Sequence, residues 1–170
     1  MGDSRLNPAY TTFINGLKTQ GVISERVFSF YLSNNSFAAN DFDSTSECRI
    51  GEVDTTHASG GLTYLPLYTS QGSWSLQLTA LHCGSSITPT VNIATFDTGS
   101  ALLLAPAADA FNIITGLNTV GACAIDAFIG LIMCDCETHA KADYPDMVFS
   151  LGGSDFALSA DDYFWQVGNM

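Results

Sequence analysis

A carboxylate followed by a hydroxyl, a glycine and a second hydroxyl, Asp97-Thr98-Gly99-Ser100, is the grouping in this 170-residue chain whose residue types and spacing best suit chemistry. It follows the apolar stretch Ile93-Ala94-Thr95-Phe96 and precedes the apolar run Ala101 to Ala105. That pattern predicts strand, tight turn and strand, with the carboxylate held against a dry wall. Gly99 lets the backbone approach closely, while Thr98 and Ser100 supply hydroxyls that can fix the loop and hydrogen-bond the Asp97 carboxylate. Asp97 is therefore a candidate for catalysis. An Asx-type turn between two buried strands would use the same four residues, so the tripeptide alone assigns no reaction.

The elements that must position this loop are short. Asn7-Pro8 is a helix start, with Phe13, Ile14 and Leu17 following at one-face spacing before Gly21 closes the element. The runs Val27 to Leu32 and Leu62 to Leu67 are rich in β-branched and aromatic residues between Ser, Asn and Gly clusters, and predict strands. Trp74, Leu76 and Leu78 alternate with Ser75, Gln77 and Thr79, the period of a half-buried strand. Val148, Phe149 and Leu151 lead into Gly152-Gly153, and Phe156 and Leu158 leave it, which predicts a hairpin. A second helix is expected from about Pro106 to Leu117, and Phe128-Ile129-Gly130 is expected to be a strand passing a glycine. The polar stretch from Asn34 to Glu47 is expected to be a disordered insertion. Many short strands with two or three short helices predict a mostly antiparallel β fold in one domain.

Composition narrows the function classes. At 46% hydrophobic and 13% charged residues the chain is too apolar for disorder, and it has no unbroken apolar run long enough to span a bilayer. A soluble globular domain is the expectation. Five Lys+Arg against seventeen Asp+Glu leave a net charge of -12, which repels phosphate backbones and anionic lipid surfaces, so neither nucleic acid nor membrane is an expected partner. The same imbalance fits an acidic working environment, because few positive charges remain to repel one another in acid, and it fits equally an acidic surface that keeps the chain soluble. The first residues carry no apolar signal-peptide core, which is compatible with a cytosolic chain or with a true beginning that lies elsewhere. Five cysteines, Cys48, Cys83, Cys123, Cys134 and Cys136, leave at least one thiol without a partner. Cys134-Asp135-Cys136 with His139 could form part of a zinc site, but neither His57 nor His82 has ligand spacing to it, and a disulfide framework uses the same residues. No metal and no cofactor are expected. Asn34-Asn35-Ser36 is an N-glycosylation pattern, compatible with a secreted protein.

Across nearly its whole length the chain resembles the C-terminal lobe of pepsin-family aspartic proteases, segment after segment in the family's order. Pro8 to Ile23 resembles the helix after the lobe junction, and Val27 to Ser33 the strand that follows it. Gly51 to Leu67 is similar to a Gly-x-x-Asp segment with its aromatic residue and proline-bearing strand. Ser73 to Leu78 matches the next strand, and Ala94 to Pro106 (ATFDTGSALLLAP) the second catalytic loop with its trailing apolar run. Tyr144 to Phe149, Phe156 to Leu158 and Tyr163 resemble the elements beyond.

The resemblance implies a mostly β, barrel-like antiparallel lobe with short helices over residues 1–170, and an aspartic endopeptidase activity. It implies that Asp97 is one carboxylate of a two-aspartate site. Thr95, Thr98, Gly99 and Ser100 then support the loop and meet substrate, and Tyr31 is a candidate wall of a substrate subsite, with ordinary packing equally open to it. The first lobe, with its own Asp-Thr-Gly, and the final strands behind the second catalytic loop fall outside the sequence. The isolated chain is thus expected to be inactive, to expose apolar edge surface and to rely on a partner, with a peptide or protein as substrate. A second copy of the chain facing the first is a less favoured partner than the missing lobe. The family also implies a disulfide from a cysteine just before the Pro145-Asp146 strand to one beyond Met170, which would orphan Cys136 or Cys134; Cys48 to Cys83 is a further conceivable pair. A secreted or vacuolar/lysosomal location follows for the intact protein. The competing reading is a non-catalytic module that reuses the lobe to bind peptides or proteins.

Overall fold

The structure is a computed structural model that describes residues 11–33, 46–68 and 73–165. Its residues group into two compact units, one comprising 1–64 and 69–73 and the other 65–68 and 74–170. The expected helix start at Asn7-Pro8, the 34–45 part of the polar insertion and the Asn34 glycosylation pattern lie outside the described residues.

The first unit holds α1 (Phe13–Thr19), β1 (Phe28–Tyr31) and β2 (Glu47–Ile50). Thr12 caps α1 by accepting the Asn15 N–H at 3.4 Å, the role for which a hydroxyl is favoured just before a helix. Ile14 is buried but Phe13 is exposed, so the anticipated three-residue apolar face reduces to a narrower one. β1 and β2 pair antiparallel, Phe28 opposite Ile50 and Tyr31 opposite Glu47.

The second unit carries the main sheet. β3 (Ser75–Cys83) is its spine, with β4 (Ser85–Ile87), β8 (Met147–Leu151) and β9 (Ser154–Leu158) in the order β4-β3-β8-β9, and β5 (Ile93–Thr95) also paired with β3. All pairings are antiparallel. The β8–β9 hairpin is as expected: Gly152 and Gly153 turn the chain with φ of 56° and 90°, a left-handed pair that glycine adopts without the penalty other residues meet. A separate two-stranded ladder joins β6 (Cys123–Ile125) to β7 (Ile132–Cys134), and a short helix α3 (Ala160–Tyr163) follows β9. Mostly antiparallel β with few short helices is the class expected. The barrel-like closure is not found: among the described residues every sheet stays open.

α2 (Ala107–Leu117) covers this sheet and matches the expected helix. Asp109, Ile113, Ile114, Gly116 and Leu117 form its buried stripe, the spacing of one helical face. Its last turn lies against the β3–β4 connection so closely that a Cβ on Gly116 would fall 1.8 Å from the Cys83 carbonyl oxygen. Leu81, Cys83, Ile87, Ile113, Ile114, Leu117, Tyr144 and Met147 belong to one core cluster in this unit.

Several expectations fail for identifiable reasons. Residues 61–68, expected to contain a strand, form none: Gly60-Gly61 lead in, Pro66 lacks an N–H, and the described tie to β3 is the Tyr68 N–H donated to the Ser75 carbonyl at 2.7 Å. Trp74, just before β3, is exposed and Ser75, its first residue, wholly buried, the reverse of the expected alternation at that end, while Leu76 to Thr79 keep it. A register shift between Leu78 and Ala80 moves the buried set onto Leu81 and Cys83, as a bulge must when side chains alternate with period two. Phe128-Ile129-Gly130 is no strand but the turn of the β6–β7 hairpin, folded by Asp126, whose Oδ1 accepts the Phe128 and Ile129 N–H groups. Phe128 is left 99% exposed. Cys123 and Cys134 form a disulfide across that hairpin, so Cys134 is not the orphan and cannot serve a zinc site. Cys48, Cys83 and Cys136 are free thiols, which removes the Cys48–Cys83 pairing.

Candidate active site

The loop that presents Asp97 is anchored at its entrance. β5 pairs with β3 through Ile93 opposite Gln77, Ala94 opposite Leu76 and Thr95 opposite Ser75. The ladder then extends one residue further, with the Phe96 N–H donated to the Trp74 carbonyl at 2.8 Å. At its last regular pair the Ser75 and Thr95 hydroxyls are hydrogen-bonded at 2.8 Å. Asp97 comes next, exposed, and its turn closes through two bonds: the Gly99 N–H donates to Asp97 Oδ1 at 2.9 Å and the Ser100 N–H to the Asp97 carbonyl at 3.1 Å. A Cβ on residue 99 would stand 3.2 Å from that same Oδ1, so glycine here leaves the carboxylate uncrowded. An exposed carboxylate on a turn that its own amide group braces can exchange a proton with a water or a second acid brought to it.

Of the two roles expected of the hydroxyls, Ser100 takes that of fixing the loop. Ser100 Oγ donates to the Leu102 carbonyl at 3.1 Å, holding the exit of the turn rather than the carboxylate, and Thr98 is exposed at the apex. The expected second strand and dry wall after the loop are absent: residues 101–106 form no strand, and Leu102, Leu103 and Leu104 are exposed, Leu104 by 84%. With Phe96 also exposed, the loop is flanked along the chain by apolar side chains in water.

Tyr31 sits in the first unit, where its ring stacks on His57 at 3.7 Å between centroids and 14° between planes. Around that stack lies a polar cluster that the sequence does not announce. Asp54, its side chain 5% exposed, accepts the Thr56 hydroxyl at 2.6 Å and the Thr56 N–H at 2.8 Å on Oδ1, meets His57 Nδ1 through Oδ2, and faces Arg49 at 3.4 Å. These donors, the Thr56 hydroxyl foremost, then His57, hold the Asp54 carboxyl far below the ordinary carboxylate range. Glu47, Asp54 and His57 could offer ligand atoms within 4.8 Å of one another, but Arg49 bonds Glu47 at 2.7 Å and already supplies a positive charge there. The cluster is an ion-pair hub that ties the Asp54 turn to β2, and the Asp54 N–H bonds Ser29 Oγ of β1 at 3.1 Å.

Of the sequence candidates, Thr95, Asp97, Thr98, Gly99 and Ser100 share one short segment of the second unit. The residue that sequence reasoning missed is Ser75. It occupies a polar position of an alternating strand, which reads as solvent-facing, and the signal that it faces inward is its partner on β5.

The chain is 30% identical to vacuolar protease A of Aspergillus fumigatus over 165 residues, covering 95% of this chain and 38% of that protein. It is 31% identical to cathepsin E of Oryctolagus cuniculus over 90% of this chain and 36% of that one, and 28% identical to pepsin A of Sus scrofa over 92% and 37% respectively. The chain thus spans little more than a third of the length of these relatives. In fold it resembles the crystal structure of an aspartic proteinase from Irpex lacteus, with a TM-score of 0.65 at 24% identity over 88% of this chain and 42% of that one. The sequence pattern of the eukaryotic aspartyl proteases matches residues 3–170, and the chain belongs to that family, with its pepsin-like fold.

Proposed function

We propose that this chain is the second lobe of a two-aspartate endopeptidase and that Asp97 is the carboxylate it contributes. The observation that carries the reading is the presentation of Asp97: exposed, on a turn braced by the Gly99 N–H and anchored to β3. No second Asp-Thr-Gly or Asp-Ser-Gly occurs in the 170 residues, so the other carboxylate comes from a lobe outside this sequence. Two carboxylates a few ångströms apart share one proton, because both cannot ionise cheaply. The charged member takes a proton from a water between them, and the neutral one donates to the scissile carbonyl as the water attacks. The tetrahedral intermediate then collapses and releases the two peptides. The titration belongs to the pair, and neither acid alone is both base and acid.

The chain by itself is accordingly inactive, its substrate is a peptide or protein, and its partner is the first lobe, which covers the apolar side chains beside the Asp97 loop. Thr98 braces the two catalytic loops across the lobe junction, Gly99 and Ser100 line the cleft and hydrogen-bond substrate, Thr95 supports the loop, and Tyr31 is a candidate for a substrate subsite wall. The workplace is acidic: secreted, vacuolar or lysosomal. A statine-type inhibitor, whose hydroxyl stands in for the attacking water, tests this. Calorimetry should show binding to the chain once a first lobe is supplied, and loss of that binding on Asp97→Asn. Binding to the isolated chain that is indifferent to Asp97→Asn would overturn the reading in favour of a non-catalytic binding module.

A further inference from the structure

We propose that Ser75 is the positioning residue of the Asp97 loop, acting through Thr95. The inference rests on reading Asp97 as a catalytic carboxylate and places the control of its position outside the Asp97 turn. Ser75 has no exposed surface, and a hydroxyl shut away from water must be hydrogen-bonded. Its Oγ bonds Thr95 Oγ1 at 2.8 Å, directly across the β3–β5 ladder. Thr95 is the final residue of β5, two positions before Asp97.

The geometry makes this contact matter more than an ordinary side-chain bond. β5 has three residues and, among the described residues, pairs with β3, so the entrance to Asp97 is steered through that short ladder. Ser75 is itself held from its other side, where its carbonyl accepts the Tyr68 N–H at 2.7 Å. Beyond the hydroxyl pair come the Phe96 N–H bond to Trp74 and then the Asp97 turn. After Ser100 the chain is irregular and exposed, and the Ser100 hydroxyl bond to the Leu102 carbonyl ties the exit only to its own next residues, whereas the entrance is tied to β3. An apolar residue at 75 would fill space but would not fix Thr95 along the strand direction; a hydrogen bond does both. A carboxylate that must meet a second carboxylate and a water depends on such fixing, since small misplacements cost large factors in rate.

Hydrogen exchange on the folded chain, resolved by NMR, tests the inference without reference to activity. Ser75→Ala and Thr95→Val should each speed exchange of the Phe96 and Gly99 amides by about tenfold while the amides of β8 and β9 keep their protection. Thr95→Ser, which retains the hydroxyl at an exposed site, should behave as the native chain, and the double variant should add nothing to either single one. Unchanged exchange at Phe96 and Gly99, or equal loss across the whole sheet, overturns the proposal. With a first lobe supplied, Thr95→Val should lower kcat by about tenfold with KM within about twofold. If the native assembly shows no peptidase activity, it is the catalytic reading of Asp97 that fails, and the exchange pattern still decides whether Ser75 positions the loop.

Discussion

Two residues show how surroundings, rather than residue type, decide chemical behaviour. Cys83 is wholly buried beneath α2, and burial pushes its thiol up to about 11. At pH 8 only roughly one molecule in a thousand then carries the reactive thiolate. Iodoacetamide should label Cys48 and Cys136, which are exposed, and reach Cys83 only after unfolding; mass spectrometry reads this directly, and rapid labelling of Cys83 in the folded chain would contradict it. Asp54 is the opposite case, its carboxyl held low by Thr56, His57 and Arg49. A depressed folded-state value stabilises above the unfolded value of about 4 and loses that contribution as pH falls further toward the folded value. The Asp54 carboxyl carbon should therefore keep its ionised NMR shift at pH 3 while exposed acids titrate, and Thr56→Ala should move its midpoint upward. A midpoint near 4 in the native chain would refute this. Neither behaviour is written in the sequence. Asp97, by contrast, stands out in it, because the Asp-Thr-Gly turn is a local feature whose bonds lie within four residues. Ser75 does not, because its burial depends on a partner twenty positions away.

At the scale of elements, legibility follows how local each determinant is. The hairpin at Gly152-Gly153 and helix α2 are read correctly because turn residues and a helical stripe act within their own segments. The segment 61–68 is misread because a strand needs a partner and Pro66 denies it a donor. Ser75, at the start of β3, is misread because an alternation count does not show its hydroxyl partner on β5, and the bulge that moves the buried set onto Leu81 and Cys83 lies further along, between Leu78 and Ala80. The Cys123–Cys134 disulfide likewise depends on a hairpin that the reading of Phe128-Ile129-Gly130 as strand conceals. One packing contact is now sharply testable. The close approach of Gly116 to Cys83 leaves no room for a methyl group against rigid backbone. Gly116→Ala should therefore destabilise the second unit by at least about 1–3 kcal/mol, the usual cost of overpacking, despite the helix propensity of alanine. Urea unfolding followed by tryptophan fluorescence measures it, and an unchanged or raised midpoint would mean that α2 does not lie on β3 as described.

For the molecule as a whole, family and fold agree: matches run the length of the chain, while the chain spans little more than a third of relatives such as pepsin A. Among the described residues the main sheet stays open, and exposed apolar side chains flank the Asp97 loop along the chain. No described helix is long and apolar enough to cross a membrane, and the net charge of -12 sets the chain against anionic surfaces at neutral pH. What remains is the role of Asp97 itself. The direct measurement is peptide hydrolysis near pH 4 by the chain combined with a first lobe, comparing the native residue with Asp97→Asn. If Asp97 supplies half of the acid–base pair, kcat should fall on the order of a thousandfold with the fold intact; hydrolysis that survives Asp97→Asn within about twofold would contradict the assignment.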